Sequence, residues 1–155
     1  MQRTDTGRPI TILMADDDED DRDLARDALD GTRLADRMQF VVDGQDLIDY
    51  LRHDGPYATA AQTTPRPSLI LLDLNMPRKD GREALAELKA DESLRQIPVV
   101  VLTTSSDEMD VRKAYDLGAS SYITKPVTHS QLKQVMQGIA DYWSGIVELP
   151  DPSAL

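Results

Sequence analysis

Short apolar runs alternate with longer amphipathic segments along the chain. The runs at 67–73 and 97–104 are almost continuously apolar, which is typical of parallel strands buried on both faces of a sheet. Together with a weaker run near the end, such runs predict five strands, at 10–15, 38–42, 67–73, 97–104 and 120–124.

Helical spacing, with apolar residues three or four positions apart, follows the predicted strands. It is clearest in the last segment, where five apolar residues share one side: Leu132, Val135, Met136, Ile139 and Trp143. Thr128 and Gln131 have the spacing of a capping box at the start of this segment. The pattern predicts a helix of about four turns from near Ser130 to Trp143.

The order of strand then helix, repeated five times, predicts an α/β fold in which helices cover both faces of a parallel sheet. We expect one domain at 9–145, an N-terminal extension at 1–8 and a tail at 146–155. The tail is too short for a second domain, so we expect the output to be binding to another protein. The connection at 53–67 exceeds the roughly 2–6 residues usual in such folds, and we interpret it as a surface loop.

Charge and composition exclude several classes of function. The chain has 155 residues, with 28 Asp and Glu against 17 Lys and Arg, a formal net charge of −11. This excess repels phosphate backbones and argues against nucleic-acid binding. The lack of cysteine excludes disulfides, thiolate metal sites and cysteine nucleophiles. No apolar run approaches the roughly 20 residues of a membrane span, and the N-terminus lacks a secretory signal, so we expect a cytoplasmic protein.

Polar side chains stand at the carboxyl ends of four predicted strands: Asp16 and Asp17, Asp73, Thr103 and Thr104, and Lys125. In an open parallel sheet, ligands bind beyond this edge, where the strand order reverses. Three ionised aspartates and one lysine leave two negative charges, which a divalent cation would balance. Mg²⁺ suits such a site because it prefers hard oxygen ligands and keeps several waters, and Mn²⁺ is the alternative.

The acids that follow this pair belong to the next helix in our interpretation. Asp18 is well placed as its N-cap, and Asp21 falls at its third position. Acidic residues there suit the positive end of the helix dipole. We therefore expect Asp18, Glu19, Asp20 and Asp21 to have a structural role.

Four motifs together resemble the receiver domain of two-component response regulators: ILMADD, LLDLNMPRKDG, PVVVLTTS and YITKP. The resemblance covers roughly residues 9–145. It implies a flavodoxin-like, doubly wound (βα)5 fold with a five-stranded parallel sheet in the order 2-1-3-4-5.

By this resemblance, Asp73 is the phosphoacceptor, which takes a phosphoryl group from a histidine kinase. Asp16, Asp17 and Asp73 would hold Mg²⁺, together with the backbone carbonyl of Asn75. Lys125 would bind a phosphoryl oxygen in the transition state.

The resemblance also implies a switch. Thr103 corresponds to the switch hydroxyl and Tyr122 to the switch aromatic, while Asn75 and Thr104 would tune the lifetime of the aspartyl phosphate. A phosphate drawing the hydroxyl inward would bias a surface built from helix 4, strand 5 and helix 5. Pro126 completes the family's Lys-Pro pair, whose peptide bond is often cis.

Finer features resemble the small response regulators paired with bacterial phytochromes, among them the enlarged loop 53–67 and the long final helix. This resemblance implies a bacterial phytochrome as the partner kinase and a homodimer formed through helix 4, strand 5 and helix 5. Tyr142 and Trp143 extend the last helix, either as an edge of the core or as a dimer contact.

Two other functions stay open. A magnesium phosphohydrolase with an aspartyl nucleophile would use similar carboxylates, although such enzymes commonly carry a second Asp where this chain has Asn75. An adaptor with a receiver fold would work without phosphorylation. Turnover of phosphomonoesters identifies the first, and an Asp73→Asn variant with unchanged binding identifies the second.

Overall fold

The computed structural model describes residues 10–30, 37–59 and 64–150. The expected N-terminal extension, 1–8, lies outside these ranges, as do part of loop 53–67 and the end of the tail. None of the helices in the described ranges combines the length and the apolar character needed to cross a membrane.

Five parallel strands in the described part of the chain form one sheet. They are β1 Ile12–Ala15, β2 Met38–Val41, β3 Leu69–Leu72, β4 Val99–Thr103 and β5 Ser121–Thr124. The strand order is β2-β1-β3-β4-β5, which confirms the predicted 2-1-3-4-5 topology. Every residue of β1, β3 and β4 is buried, as expected for central strands covered on both faces.

Five α-helices, counted over the described ranges, alternate with these strands. They are α1 Glu19–Leu29, α2 Gly44–Arg52, α3 Gly81–Ala90, α4 Glu108–Leu117 and α5 His129–Gly145. Buried residues of α2, α3 and α4 pack on one face of the sheet, and those of α1 and α5 pack on the other. The predicted final helix is confirmed, with slightly wider bounds.

Each of these helices begins after a side chain that accepts a hydrogen bond from the first turn: Asp18, Asp43, Asp80, Asp107 and Thr128. The cap satisfies a backbone N–H that has no partner within the helix, and a carboxylate also suits the positive helix end. Asp80 and Glu83 form a complete capping box. The expected N-cap role of Asp18 is confirmed, and part of the acidic excess is thereby explained by helix starts.

The segment after α2 is exposed at most of its described positions, but it makes several specific contacts. His53 ends α2 in a left-handed conformation, with φ 56°, and its Nδ1 lies 3.0 Å from Oγ1 of the buried Thr64. The hydroxyl of Tyr57 donates a 2.7 Å hydrogen bond to Asp46, and its ring meets the edge of Tyr50. The described parts of 53–67 therefore lie largely at the surface, as predicted, with specific contacts at both ends.

The turn between β3 and α3 has no room for a side chain at Gly81. A Cβ there would overlap the backbone carbonyl oxygen of Asp73 and approach the Cα of Leu74 to 2.7 Å. The N–H of Gly81 donates to the Leu74 carbonyl at 2.9 Å. The start of α3 is thus held directly against Asp73, the residue that follows β3.

We expect Gly81→Ala to lower the free energy of unfolding by about 1–3 kcal/mol, because the new methyl group collides with rigid backbone. Gly138→Ala is the matched control, since a Cβ at Gly138 meets no atom within 4 Å. In the middle of α5 that change should raise stability by about 0.5–1 kcal/mol. Urea denaturation measures both changes, and a Gly81→Ala protein as stable as the parent would contradict the close approach.

Candidate functional site

Three carboxylates meet at the carboxyl edge of the sheet. Asp16 directly follows β1 and Asp73 directly follows β3, and because these strands are neighbours the two residues leave the sheet side by side. Both are buried, whereas Asp17 is exposed. Asp16, Asp17 and Asp73 each offer one oxygen such that these atoms lie within 4.8 Å of one another.

The Lys125 ammonium group lies among these acids. Its Nζ donates to Asp16 at 2.7 Å, to Asp21 at 2.7 Å and to Asp73 at 3.1 Å. The lysine side chain is only 5% exposed, so these ion pairs are shielded from water. Its backbone N–H donates to the Thr103 carbonyl at 2.6 Å, which ties it to the end of β4.

Asp21 is a site residue that the sequence interpretation missed. We expected it to serve only the start of α1, but its carboxylate contacts Lys125. Helical side chains tilt toward the N-terminus of their helix, so a residue in the first turn of α1 projects back over the strand end. Its third position in the helix was the signal that could have indicated this contact.

Burial and charge make this cluster suited to a cation. Burial raises the pKa of Asp16 to about 6, even though Lys125 lowers it. Burial also pulls the pKa of Lys125 down, but the hydrogen bonds that Lys125 donates to Asp16 and Asp21 outweigh this and hold the pKa above its usual range. Three carboxylates contact the ammonium and Asp17 adds a fourth to the cluster, and hard oxygen donors are the ligands that Mg²⁺ and Mn²⁺ prefer. Asp16, Asp17 and Asp73 therefore fit a divalent cation.

Thr103 carries a buried hydroxyl that lacks a hydrogen-bond partner within the described residues. The residue is fully buried at the end of β4, and its Oγ1 makes no hydrogen bond there. Leaving such a group unpaired costs about 1–3 kcal/mol, so the hydroxyl is well suited to form a hydrogen bond with a ligand. The neighbouring Thr104 is exposed.

Tyr122 lies on β5, the strand next to β4, and does not contact the acids. It is half-buried against the core on the α2–α4 face. Its hydroxyl donates to the Ser105 carbonyl at 2.8 Å. The two predicted switch residues therefore sit on adjacent strands, and Tyr122 is attached to the loop that follows Thr103.

Asn75 lies two residues after Asp73, in the loop between β3 and α3. Its backbone N–H donates to Asp73 Oδ1 at 3.1 Å, and the residue itself is exposed. The described residues contain no cis peptide bond, so the bond from Lys125 to Pro126 is trans and differs from the cis form that is common in the family. The trans form is the intrinsically preferred one for a bond to proline, by about 0.5–1 kcal/mol.

An ion pair joins the loop between β3 and α3 to the start of α2. Arg78 donates to the two oxygens of Asp43 at 2.8 and 3.1 Å, and Asp43 also caps α2. Asp43 is buried, which by itself raises its pKa, but hydrogen bonds from Arg78 and from backbone N–H groups outweigh this and hold the pKa below its usual value. The pair spans 35 positions of sequence, and no local pattern indicated it.

Comparisons with known proteins agree with this geometry. A family model described as the response regulator receiver domain matches residues 12–137. Response regulator Rcp1 of Synechocystis is 41% identical over 142 residues, covering 92% of this chain and 94% of Rcp1. The probable methanogenesis regulatory protein FilR2 of Methanothrix harundinacea is 38% identical over 146 residues, covering 94% of this chain and 90% of FilR2.

Solved structures extend the likeness to three dimensions. The phosphorylated cyanobacterial phytochrome response regulator RcpA has a TM-score of 0.85 at 44% identity, covering 93% of this chain and 100% of that one. The Mn²⁺-bound form of Rcp1 has a TM-score of 0.81 at 40% identity, covering 92% of this chain and 100% of that one.

The matched region contains the acid cluster, Lys125 and Thr103. A match to this family indicates a phosphoacceptor regulator and not an enzyme that turns over a substrate. The fold, the acidic site and the relatives lead to one assignment: the chain belongs to the response regulator receiver family.

Proposed function

We propose that this protein takes a phosphoryl group on Asp73 from a sensor histidine kinase and passes the signal on by protein–protein contact. The observation that carries the proposal is the meeting of Asp16, Asp17, Asp73 and Lys125 at one edge of the sheet. This set pairs a carboxylate nucleophile with a cation site and a buried ammonium. The same edge holds the unpaired Thr103 hydroxyl.

In the proposed reaction, a carboxylate oxygen of Asp73 attacks the phosphorus atom of a phosphohistidine. A P–O bond forms as the P–N bond breaks, and its electron pair returns to the imidazole of the kinase. Lys125, within 3.1 Å of Asp73, counters the negative charge on the transferred group. The hydrogen bond from the Asn75 N–H orients the other Asp73 oxygen.

Asp16, Asp17 and Asp73 would hold Mg²⁺ or Mn²⁺, with the Asn75 carbonyl as a further ligand. The Mn²⁺-bound form of Rcp1, at 40% identity, supports this ligand chemistry. When bound, the ion supplies positive charge beside the phosphoryl oxygens. The exposed position of Asp17 leaves this side of the cluster open to solvent and to a donor.

Thr103 and Tyr122 would carry the response. A phosphoryl oxygen on Asp73 is a strong acceptor, and the Thr103 hydroxyl has no competing partner to give up in the described structure. Movement of the residues after β4 would then disturb the Tyr122 contact with Ser105. Asn75 and Thr104, both exposed beside the site, would tune how fast water removes the phosphoryl group.

The proposed kinase is a bacterial phytochrome. RcpA, at 44% identity, is described as a phytochrome response regulator, and this supports the same kind of partner here. FilR2, at 38% identity, is described as a methanogenesis regulator, so identity alone does not select the phytochrome. We propose the cytoplasm, where ATP supplies the kinase, as the place of the exchange.

A homodimer through α4, β5 and α5 is the proposed form of the output. Exposed apolar side chains occur at Met109 and Tyr115 on α4, at Tyr142 on α5 and at Ile146 directly after α5. Trp143 is different, because it packs against the core on the α1–α5 face, with its ring 5.4 Å from that of Tyr142. Tyr142 is thus the exposed member of the aromatic pair and the better candidate for a contact between protomers.

We expect acetyl phosphate with Mg²⁺ to place one phosphoryl group per chain on Asp73, as located by mass spectrometry. Asp73→Asn should take up none, because it lacks the nucleophile, and the exposed Asp20→Asn should label like the parent. A label on another residue, or continued release of phosphate from p-nitrophenyl phosphate, would contradict the regulator and favour the phosphohydrolase.

Asp17→Asn should weaken Mg²⁺ binding at least about tenfold in calorimetric titration, because it removes a charged ligand from a site of few ligands. Asp20→Asn changes net charge by the same amount and should bind Mg²⁺ within about twofold of the parent. Equal losses in the two variants would mean that bulk charge, and not ligation, attracts the cation.

Tyr142→Ala should weaken self-association about tenfold or more in sedimentation equilibrium, because buried aromatic residues dominate such interfaces. Gln134→Ala, an exposed change on the same helix, is the control. Unchanged association of Tyr142→Ala would remove this residue from the interface. Association that is the same for phosphorylated protein and for Asp73→Asn would favour the phosphorylation-independent adaptor.

A further inference from the structure

Asp21 gives Lys125 a carboxylate partner that is not one of the proposed metal ligands. The Lys125 ammonium donates to Asp21 at 2.7 Å, the same distance as to Asp16, and Asp21 lies in the first turn of α1. Asp16, Asp17 and Asp73 form the group whose oxygens lie within 4.8 Å of one another, and Asp21 is not a member of that group. The Asp21 carboxylate therefore contacts the ammonium from outside the cation site.

The contact between Asp21 and Lys125 is shielded from water. The two side chains are 15% and 5% exposed. By contrast, Asp23 and Arg26 form a pair on the same helix in which the side chains are 61% and 56% exposed. Because water screens a shielded charge poorly, the Asp21 charge acts strongly on any ion that enters the site.

The three N–H groups of the ammonium are matched by three carboxylates. Lys125 donates one hydrogen bond each to Asp16, Asp21 and Asp73, which is its full capacity as a donor. A phosphoryl oxygen can therefore accept a hydrogen bond from Lys125 only if one of these contacts gives way. Asp16 and Asp73 would share their charge with a bound cation, so Asp21 is the partner whose hold on Lys125 the cation leaves at full strength.

The charge balance of the site points the same way. With Asp21 included, four carboxylates and one ammonium leave three negative charges, and a divalent cation reduces this excess to one. Without Asp21, the same cation would leave the site neutral. The extra negative charge attracts the cation, but it repels a phosphoryl group, which adds about one further negative charge to Asp73.

We propose that Asp21 is a positioning residue that competes with the phosphoryl group for Lys125, and that it thereby favours binding of the cation and disfavours the phosphorylated form. The inference rests on the proposed function and concerns the regulation of that same site. Its consequence is a phosphoryl group that is held less tightly than Lys125 and the metal ligands alone would hold it.

A purely structural role for Asp21 predicts a different result. If Asp21 only oriented Lys125, its loss would misplace the ammonium, and the phosphoryl group would bind more weakly. If it competes, its loss frees one N–H of Lys125 and removes a repelling charge, so the phosphoryl group binds more tightly while the cation binds more weakly. Opposite changes in the two affinities are thus the signature of competition.

The test is a pair of titrations of the full chain, first with Mg²⁺ alone and then with beryllofluoride at saturating Mg²⁺. Beryllofluoride mimics a phosphoryl group on a carboxylate. Asp21→Asn removes the charge and keeps the size of the side chain. Compared with the parent, it should bind Mg²⁺ about three- to tenfold more weakly and beryllofluoride about three- to tenfold more tightly, as expected for the loss of one poorly screened charge.

Asp20→Asn is the matched control, because it removes the same charge from an exposed position one residue earlier on α1. Solvent screens that charge, so both affinities should stay within about twofold of those of the parent. Urea denaturation shows whether each variant is folded. If Asp21→Asn does not fold, Asp21→Ala replaces it, with the same expected changes.

Three results would overturn the inference in a parent protein that binds both probes. They are an unchanged Mg²⁺ affinity in a folded Asp21 variant, a beryllofluoride affinity that is unchanged or weaker in that variant, and equal changes in Asp20→Asn. A parent protein that binds Mg²⁺ but neither binds beryllofluoride nor takes a label on Asp73 would overturn the proposed function, and the inference with it.

Discussion

The ion pairs of one buried ammonium hold the carboxyl edge of this sheet together. Lys125, which follows β5, binds Asp16 after β1, Asp73 after β3 and Asp21 in the first turn of α1. Without that ammonium, buried carboxylates would repel one another and the pKa of Asp16 would rise further. A single side chain therefore joins elements that lie far apart in sequence, and it keeps the proposed nucleophile in a charged environment.

The rest of the fold positions this cluster, because its residues lie at the ends of strands and at the start of a helix. Strand order brings Asp16 and Asp73 side by side, and the close approach of Gly81 fixes where the chain turns after Asp73. Aspartate caps begin four of the five helices found in the described ranges. The strongly acidic composition is thus partly architectural, since carboxylates start helices as well as line the site.

Sequence patterns could predict the parts of this structure that depend on local periodicity or on strand ends. The five strands follow from the apolar runs, and the meeting of Asp16, Asp17, Asp73 and Lys125 follows from the geometry of parallel sheets. The strand order followed from the resemblance to receiver domains. The pairs of Asp43 with Arg78 and of Arg82 with Asp110 could not be predicted, because their partners lie 35 and 28 positions apart. Tertiary packing decides which charged residues form pairs, and neither residue type nor spacing in the sequence indicates the partners.

Arg78 lies where the demands of backbone and side chain oppose each other. Its φ of 61° is left-handed, a conformation that costs a non-glycine residue about 1–2 kcal/mol, yet its guanidinium is what pairs the buried Asp43. Glycine at this position would relax the backbone but leave the Asp43 carboxylate without its partner. Lysine would keep a positive charge but lose the two parallel hydrogen bonds of the guanidinium. The loop beside the proposed phosphoacceptor is consequently under opposing constraints. Substitutions at this one position separate the free-energy cost of the left-handed backbone from the stabilisation that the ion pair with Asp43 provides.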